Sequence, residues 1–118
     1  MLIADDHRLF AEALAAILAT DNRFEVVGRA QDGEQAVELA AAEKPDVVLM
    51  DIAMPRLDGV EAAKRIKRKR RSAAVLMLTG SNSSADVARA RDAGAAGYVT
   101  KDRIASELID SIVEVMGS

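Results

Sequence analysis

Short apolar runs alternate along this chain with segments of helical periodicity, and each apolar run stops at a polar residue. Residues 2–5 read as a first strand. A helix over 7–19 follows, because Phe10, Leu14, Ile17 and Leu18 recur on one helical face. Residues 24–30 read as a second strand, closed by the turn Gln31-Asp32-Gly33. The next helix carries Ala36, Val37, Leu39 and Ala40 and stops before Lys44-Pro45, where the residue preceding proline is pushed out of the helical region. Residues 46–50 are apolar after Asp46 and predict a buried, central strand. A loop over 51–59, containing Pro55, opens a third helix that runs into Arg70. Residues 74–79 form strand four, and a weakly amphipathic helix over 84–93 is closed by Gly94. Strand five spans 96–99. The last helix, 104–116, presents Ile104, Leu108, Ile112 and Met116 at helical spacing. This alternation, with no long linker and no repeat, predicts an α/β fold: a doubly wound, five-stranded parallel sheet with right-handed crossovers.

Such sheets bind ligands outside the carboxyl ends of their strands. The residues that end the apolar runs are Asp5 and Asp6, Asp51, Thr79 and Lys101. Three carboxylates, a hydroxyl and an ammonium would thus meet in one crevice. Converging carboxylates repel one another unless a cation joins them. A hard cation with oxygen ligands, room for water and room for a phosphoryl oxygen points to Mg²⁺. An aspartate there can act as a nucleophile and become an aspartyl phosphate, since phosphoryl transfer needs positioning and charge neutralisation above all.

Length and composition narrow the classes. The 118 residues suit one domain over 1–118, with 50% hydrophobic and 30% charged residues, the balance of an ordinary soluble protein. A net charge of −3 leaves no overall basic footprint for nucleic acid. The absence of cysteine excludes disulfides, thiolate catalysis and cysteine-based zinc sites. No apolar run approaches the ~20 residues of a membrane span and no signal peptide is visible, so a cytoplasmic location is expected.

Four stretches in order carry a family resemblance: Leu-Ile-Ala-Asp-Asp-His at 2–7, Asp-Val-Val-Leu-Met-Asp-Ile-Ala-Met-Pro-Arg-Leu-Asp-Gly at 46–59, Leu-Thr-Gly at 78–80 and Gly-Tyr-Val-Thr-Lys-Asp at 97–102. Together they resemble the receiver domain of bacterial two-component response regulators. The Asp-Asp-His start and the stretch 94–102 are most similar to the NarL/FixJ (LuxR-type) branch. The resemblance covers essentially the whole chain. It implies a flavodoxin-like, CheY-like fold with strand order 2-1-3-4-5 and a phosphoacceptor signalling domain rather than a turnover enzyme. Residue by residue, it implies Asp51 as phosphorylation site and Mg²⁺ held by Asp6 directly, by Asp5 through water, by Asp51 and by the Ala53 backbone carbonyl. Thr79 and Lys101 would hold phosphoryl oxygens, Tyr98 would act as a switch, and Ala53 and Ser81 would tune phosphoryl lifetime. Implied partners are a sensor histidine kinase, a C-terminal helix-turn-helix DNA-binding domain in the parent protein, and a second copy through helix four, strand five and helix five. The chain ends at Ser118 without that DNA-binding domain, so no specific nucleic-acid binding and no membrane contact is expected of it.

Plainer readings stand beside these. Asp5 or Asp6 alone reads equally as a cap of the following helix, Asp51 as a turn aspartate and Asp58 as the cap of helix three. Thr79 and Lys101 taken singly read as a strand terminus and a solvated lysine. His7, the only histidine, has no evident activating base, so it reads as a helix-start residue and not a phosphohistidine. Tyr98 by residue type alone is a half-buried strand aromatic. The basic run 64–71 reads as a solvated helix end complementing the helix dipole, with an acidic partner or nucleic acid as the alternative. The glycine-free first turn excludes a dinucleotide fingerprint and a P-loop, and its acidity opposes an FMN phosphate. A haloacid-dehalogenase-like phosphatase would carry a second acid two residues after its nucleophile, where this chain has Ala53. A receiver-like interaction module without phosphorylation is the other alternative.

Overall fold

A computed structural model describes residues 1–80 and 84–117. Five strands alternate with five helices: β1 Leu2–Ala4, α1 Arg8–Leu18, β2 Gly28–Ala30, α2 Gly33–Glu43, β3 Val47–Asp51, α3 Gly59–Lys69, β4 Ala74–Thr79, α4 Ser84–Asp92, β5 Gly97–Thr100 and α5 Ile104–Met116. A single 3₁₀ turn, Lys101–Arg103, leads from β5 into α5. All strand pairs are parallel, in the order β2-β1-β3-β4-β5, so the sheet is doubly wound with β1 and β3 at the switch point. No helix among the described residues is long and apolar enough to cross a membrane.

The central strands are buried on both faces, as their unbroken apolar runs require. Alternation sends Val48, Met50, Val75 and Met77 into a core shared with Ala36 and Ala40 of α2, Ala62, Ala63 and Ile66 of α3, and Ala90 of α4. It sends Ile3, Leu49, Leu76, Leu78 and Val99 to the opposite face, against Leu14 and Leu18 of α1 and Ile104, Leu108 and Ile112 of α5. Each fully buried Leu or Ile in these layers contributes roughly 1.5–3 kcal/mol.

Helix ends follow local chemistry. Asp32 caps α2 by accepting the Gln35 N–H at 2.8 Å, and Asp58 caps α3 by accepting the Glu61 N–H at 2.9 Å. Gly94, at φ +88°, closes α4: its N–H donates to the Arg91 carbonyl, and the Ala95 N–H donates to that of Ala90. These are the two bonds of a Schellman motif.

Three expectations need correction. The second strand does not span 24–30; pairing with β1 begins at Leu2↔Gly28. Phe24 and Val26 pack against the α1/α5 core without a ladder partner, so their apolar pattern records packing and not strand pairing. Strand five lies one residue later than expected, Gly97–Thr100, in register with Leu76–Thr79. Met116 is half exposed at the end of α5, at the rim of a cleft with Met1 and Phe24, and lies outside the buried stripe of Ile104, Leu108 and Ile112.

Candidate functional site

Strand parity builds the site. Asp5, Asp51 and Lys101 each lie two positions beyond an apolar residue of the α1/α5 face: Ile3, Leu49 and Val99. A period of two therefore directs all three side chains to the same side of the sheet at its carboxyl edge. Their atoms meet. The Lys101 Nζ lies 3.2 Å from Asp5 Oδ2 and 3.3 Å from Asp51 Oδ2. Both carboxylates are almost wholly buried, and the lysine side chain is 22% exposed.

The remaining oxygens are partly spoken for. Asp5 Oδ1 accepts the His7 N–H at 2.8 Å, and Asp51 Oδ1 accepts the Ala53 N–H at 3.3 Å. The two Oδ2 atoms are buried, and among the described residues the Lys101 ammonium is what reaches them. Asp6 sits at the rim, and the exposed His7 Nδ1 lies 3.4 Å from Asp5 and 3.3 Å from Asp6. One ligand atom from each of Asp5, Asp6, His7 and Asp51 falls within 4.8 Å of the others. Burial pushes the Asp51 carboxyl above its usual range, and the Asp5 charge pushes in the same direction, partly opposed by Lys101. Two buried carboxylates that share one ammonium, beside an acid at a solvent-open rim, suit a hard divalent cation such as Mg²⁺. The sequence-expected acidic cluster is thus brought together, with a lysine bridging its two buried members.

The 2-1-3-4-5 sheet with its five helices has known counterparts. Residues 1–113 match the family described as the response regulator receiver domain. The chain belongs to that family. It is 46% identical over 112 residues to the transcriptional regulatory protein PdtaR of Mycobacterium tuberculosis, covering 95% of this chain and 54% of that protein. The chain therefore spans about half the length of that relative. Among solved structures it is similar to the signal receiver domain of a response regulator NarL from M. tuberculosis, with 34% identity and a TM-score of 0.91 over 99% of this chain and 94% of that one. It is also similar to a CheX–CheY–BeF₃–Mg²⁺ complex from Borrelia burgdorferi, with 27% identity and a TM-score of 0.90 over 97% of this chain and 86% of that one.

Of the other expected residues of this receiver domain, Thr79 and Ala53 lie at the same edge. Thr79 ends β4, is buried, and pairs in register with Thr100. Ala53 is exposed in the loop after β3, its N–H turned back to Asp51. Tyr98 is 42% exposed and lines a shallow groove with Val87, Ala90, Arg91 and Ala95. Ser81 lies outside the described residues.

The plainer readings divide. Neither Asp5 nor Asp6 caps α1, whose N-cap is His7 without a side-chain bond. Asp58 does cap α3, and its second oxygen also meets Arg89 of α4 at 3.4 Å. In the basic run, Lys67 donates to the Arg71 and Ala73 carbonyls, Arg65 faces Glu61, and Arg70 faces Asp46. Three of the run's eight residues, Lys67, Arg68 and Lys69, stand in the last turn of α3, where cations complement the helix dipole.

Two contributors escape a sequence-only reading. Gly59 packs so tightly that a Cβ there would lie 1.9 Å from the Asp51 carbonyl oxygen. Its N–H donates to Ile52 O, and the Ile52 N–H donates to Leu78 O, which pins the Asp51 loop to β4. Phe10, read as a core residue of α1, also places its ring centroid 4.5 Å from the Lys101 ammonium. Helical spacing marks it as apolar but cannot reveal a cation over its face.

Proposed function

We propose that Asp51 accepts a phosphoryl group from the phosphohistidine of a sensor histidine kinase, and that this charge switches the α4-β5-α5 face. One observation carries the reading: Lys101 bridges two buried carboxylates whose facing oxygens have, among the described residues, that single ammonium as their partner, at the carboxyl edge of a receiver fold. That is a reservoir of negative charge with one cation in place and a position for a second.

In the transfer, an Asp51 carboxylate oxygen attacks phosphorus. The new O–P bond forms as the donor's N–P bond breaks, and the electron pair leaves with the imidazole, which takes a proton from solvent. Lys101 holds charge developing on the phosphoryl oxygens, and the Thr79 hydroxyl donates to one of them. Asp5, Asp6, Asp51 and the Ala53 carbonyl would hold Mg²⁺, which when bound supplies charge neutralisation and orients the phosphoryl group. The similar CheX–CheY complex from Borrelia contains BeF₃ and Mg²⁺, which supports an Mg²⁺-dependent phosphoryl chemistry here. A phosphatase of the haloacid-dehalogenase type is disfavoured because position 53 offers only a methyl group.

The 1–118 chain acts in this reading as one receiver domain. In the whole protein it governs a C-terminal DNA-binding domain and transcription, through dimerisation on α4-β5-α5, in the cytoplasm. The curated relative's description as a transcriptional regulatory protein supports this. The test is incubation with an acyl phosphate and Mg²⁺, followed by intact mass and borohydride mapping. One phosphoryl group on Asp51, lost in Asp51→Asn and without Mg²⁺, is expected; labelling elsewhere, or none, overturns the proposal.

A further inference from the structure

We infer that Phe10 is a positioning residue for phosphoryl transfer, its ring holding the Lys101 ammonium at the point where it bridges Asp5 and Asp51. The inference rests on the assignment of Asp51 as phosphoryl acceptor. The Nζ atom stands 4.5 Å from the ring centroid, inside the ~6 Å over which an aromatic face attracts a cation. The ammonium is thus enclosed on three sides, by Asp5 Oδ2, Asp51 Oδ2 and the ring. Lysine carries its charge on a flexible four-carbon stem, so something must restrict where that charge rests. The two carboxylates do so only before transfer. Once Asp51 carries a phosphoryl group, the ammonium must turn to a new oxygen. A ring face attracts without the angular demand of a hydrogen bond, so it can retain Nζ through that turn.

Phe10 is fixed for the task. It lies on α1 one turn before Leu14, is half-buried, and packs against the same core that receives Leu49 and Val99. That core sets the ring relative to the strands that deliver Asp51 and Lys101.

Phe10→Leu keeps an apolar side chain but removes the π face, Phe10→Tyr keeps both, and Phe10→Met is a second face-deleting variant should Phe10→Leu not fold. Two measurements decide. The proton shifts of the Lys101 ε-methylene, read in a ¹³C-resolved spectrum, should lie upfield in wild type and Phe10→Tyr from the ring current, and move downfield in Phe10→Leu. The rate of labelling by an acyl phosphate with Mg²⁺ should fall about fivefold in Phe10→Leu, with Asp51 still the labelled residue, and be restored in Phe10→Tyr. A wild-type labelling rate in Phe10→Leu, an unchanged Lys101 shift, or an equal loss in both variants tracking their melting temperatures would overturn the positioning role. A wild-type protein that takes no label on Asp51 sinks the acceptor assignment instead, while the Lys101 shift still reports whether the ring holds the ammonium.

Discussion

Thr79 and Tyr98 lie on the same face of the sheet, on adjacent strands one register step apart: Thr79 pairs with Thr100, and Tyr98 pairs with Met77, two residues before Thr79. Parity puts both toward the α4 layer, the face opposite the Asp5-Asp51-Lys101 cluster. A hydroxyl that turns from this face toward a phosphoryl oxygen vacates space beside a tyrosine that is still 42% exposed. A phosphoryl group can shift this equilibrium only through contacts that differ between the two states, and the Thr79 hydroxyl offers one. Thr79→Ala is therefore expected to accept a phosphoryl group at Asp51 yet lose most of the coupled change at Tyr98. NMR shifts of Tyr98 and α4 with and without beryllofluoride check this; a full wild-type response would move the switch to Lys101.

Asp51→Asn should remove labelling and, in metal-free buffer, stabilise the fold at neutral pH. The sign follows from the raised carboxyl. Between the ordinary value of 3.8 and the higher folded value, the folded state binds more protons than the unfolded one, so stability falls as pH rises through that window. The asparagine variant escapes this loss. Its melting temperature should exceed wild type by a few degrees at pH 7, with the gap closing below pH 3.8. A gap that persists in acid would assign the gain to packing.

Mg²⁺ should raise the melting temperature of the wild type, since a ligand that binds only the folded state stabilises it by about 2.7 kcal/mol at a hundred times its Kd. Asp6→Ala removes a hard oxygen from the rim of the cluster and should weaken the metal on the order of tenfold, slowing labelling in step. Calorimetric titration of both proteins gives the comparison; equal Kd values would leave Asp6 without a metal role.

Gly59→Ala forces a methyl group against the Asp51 carbonyl, with no flexible side chain to yield. Overpacking of this kind costs roughly 1–3 kcal/mol. Here it should also displace the acceptor loop, so labelling is expected to slow more than stability alone explains. Gly80→Ala meets nothing within 4 Å among the described residues and serves as the control, with little change in urea midpoint.

Phosphoryl lifetime should be long, because the small side chain at Ala53 cannot orient an attacking water. Ala53→Asn, which supplies a carboxamide on the exposed side of the Asp51 loop, should speed dephosphorylation several-fold. Decay of the labelled mass with time measures it directly.

The sequence by itself was enough for the α/β class, the central place of β3, the caps at Asp58 and Gly94, and the meeting of Asp5, Asp51 and Lys101 at one edge. These depend on local rules: apolar runs, a period of two, and polar residues at strand ends. It misjudged residues 24–27, because the same apolar pattern serves a ladder and a loop that packs on a core, and only the register Leu2↔Gly28 tells them apart. Distances belong to the tertiary structure. The lysine bridging two buried carboxylates, the Phe10 ring beneath its ammonium, the Arg89 contact to Asp58 and the carbonyl that excludes a Cβ at Gly59 each join segments from different parts of the chain. Hydrophobic periodicity says which side a residue faces, and only the packing of helices onto the sheet decides what it meets there.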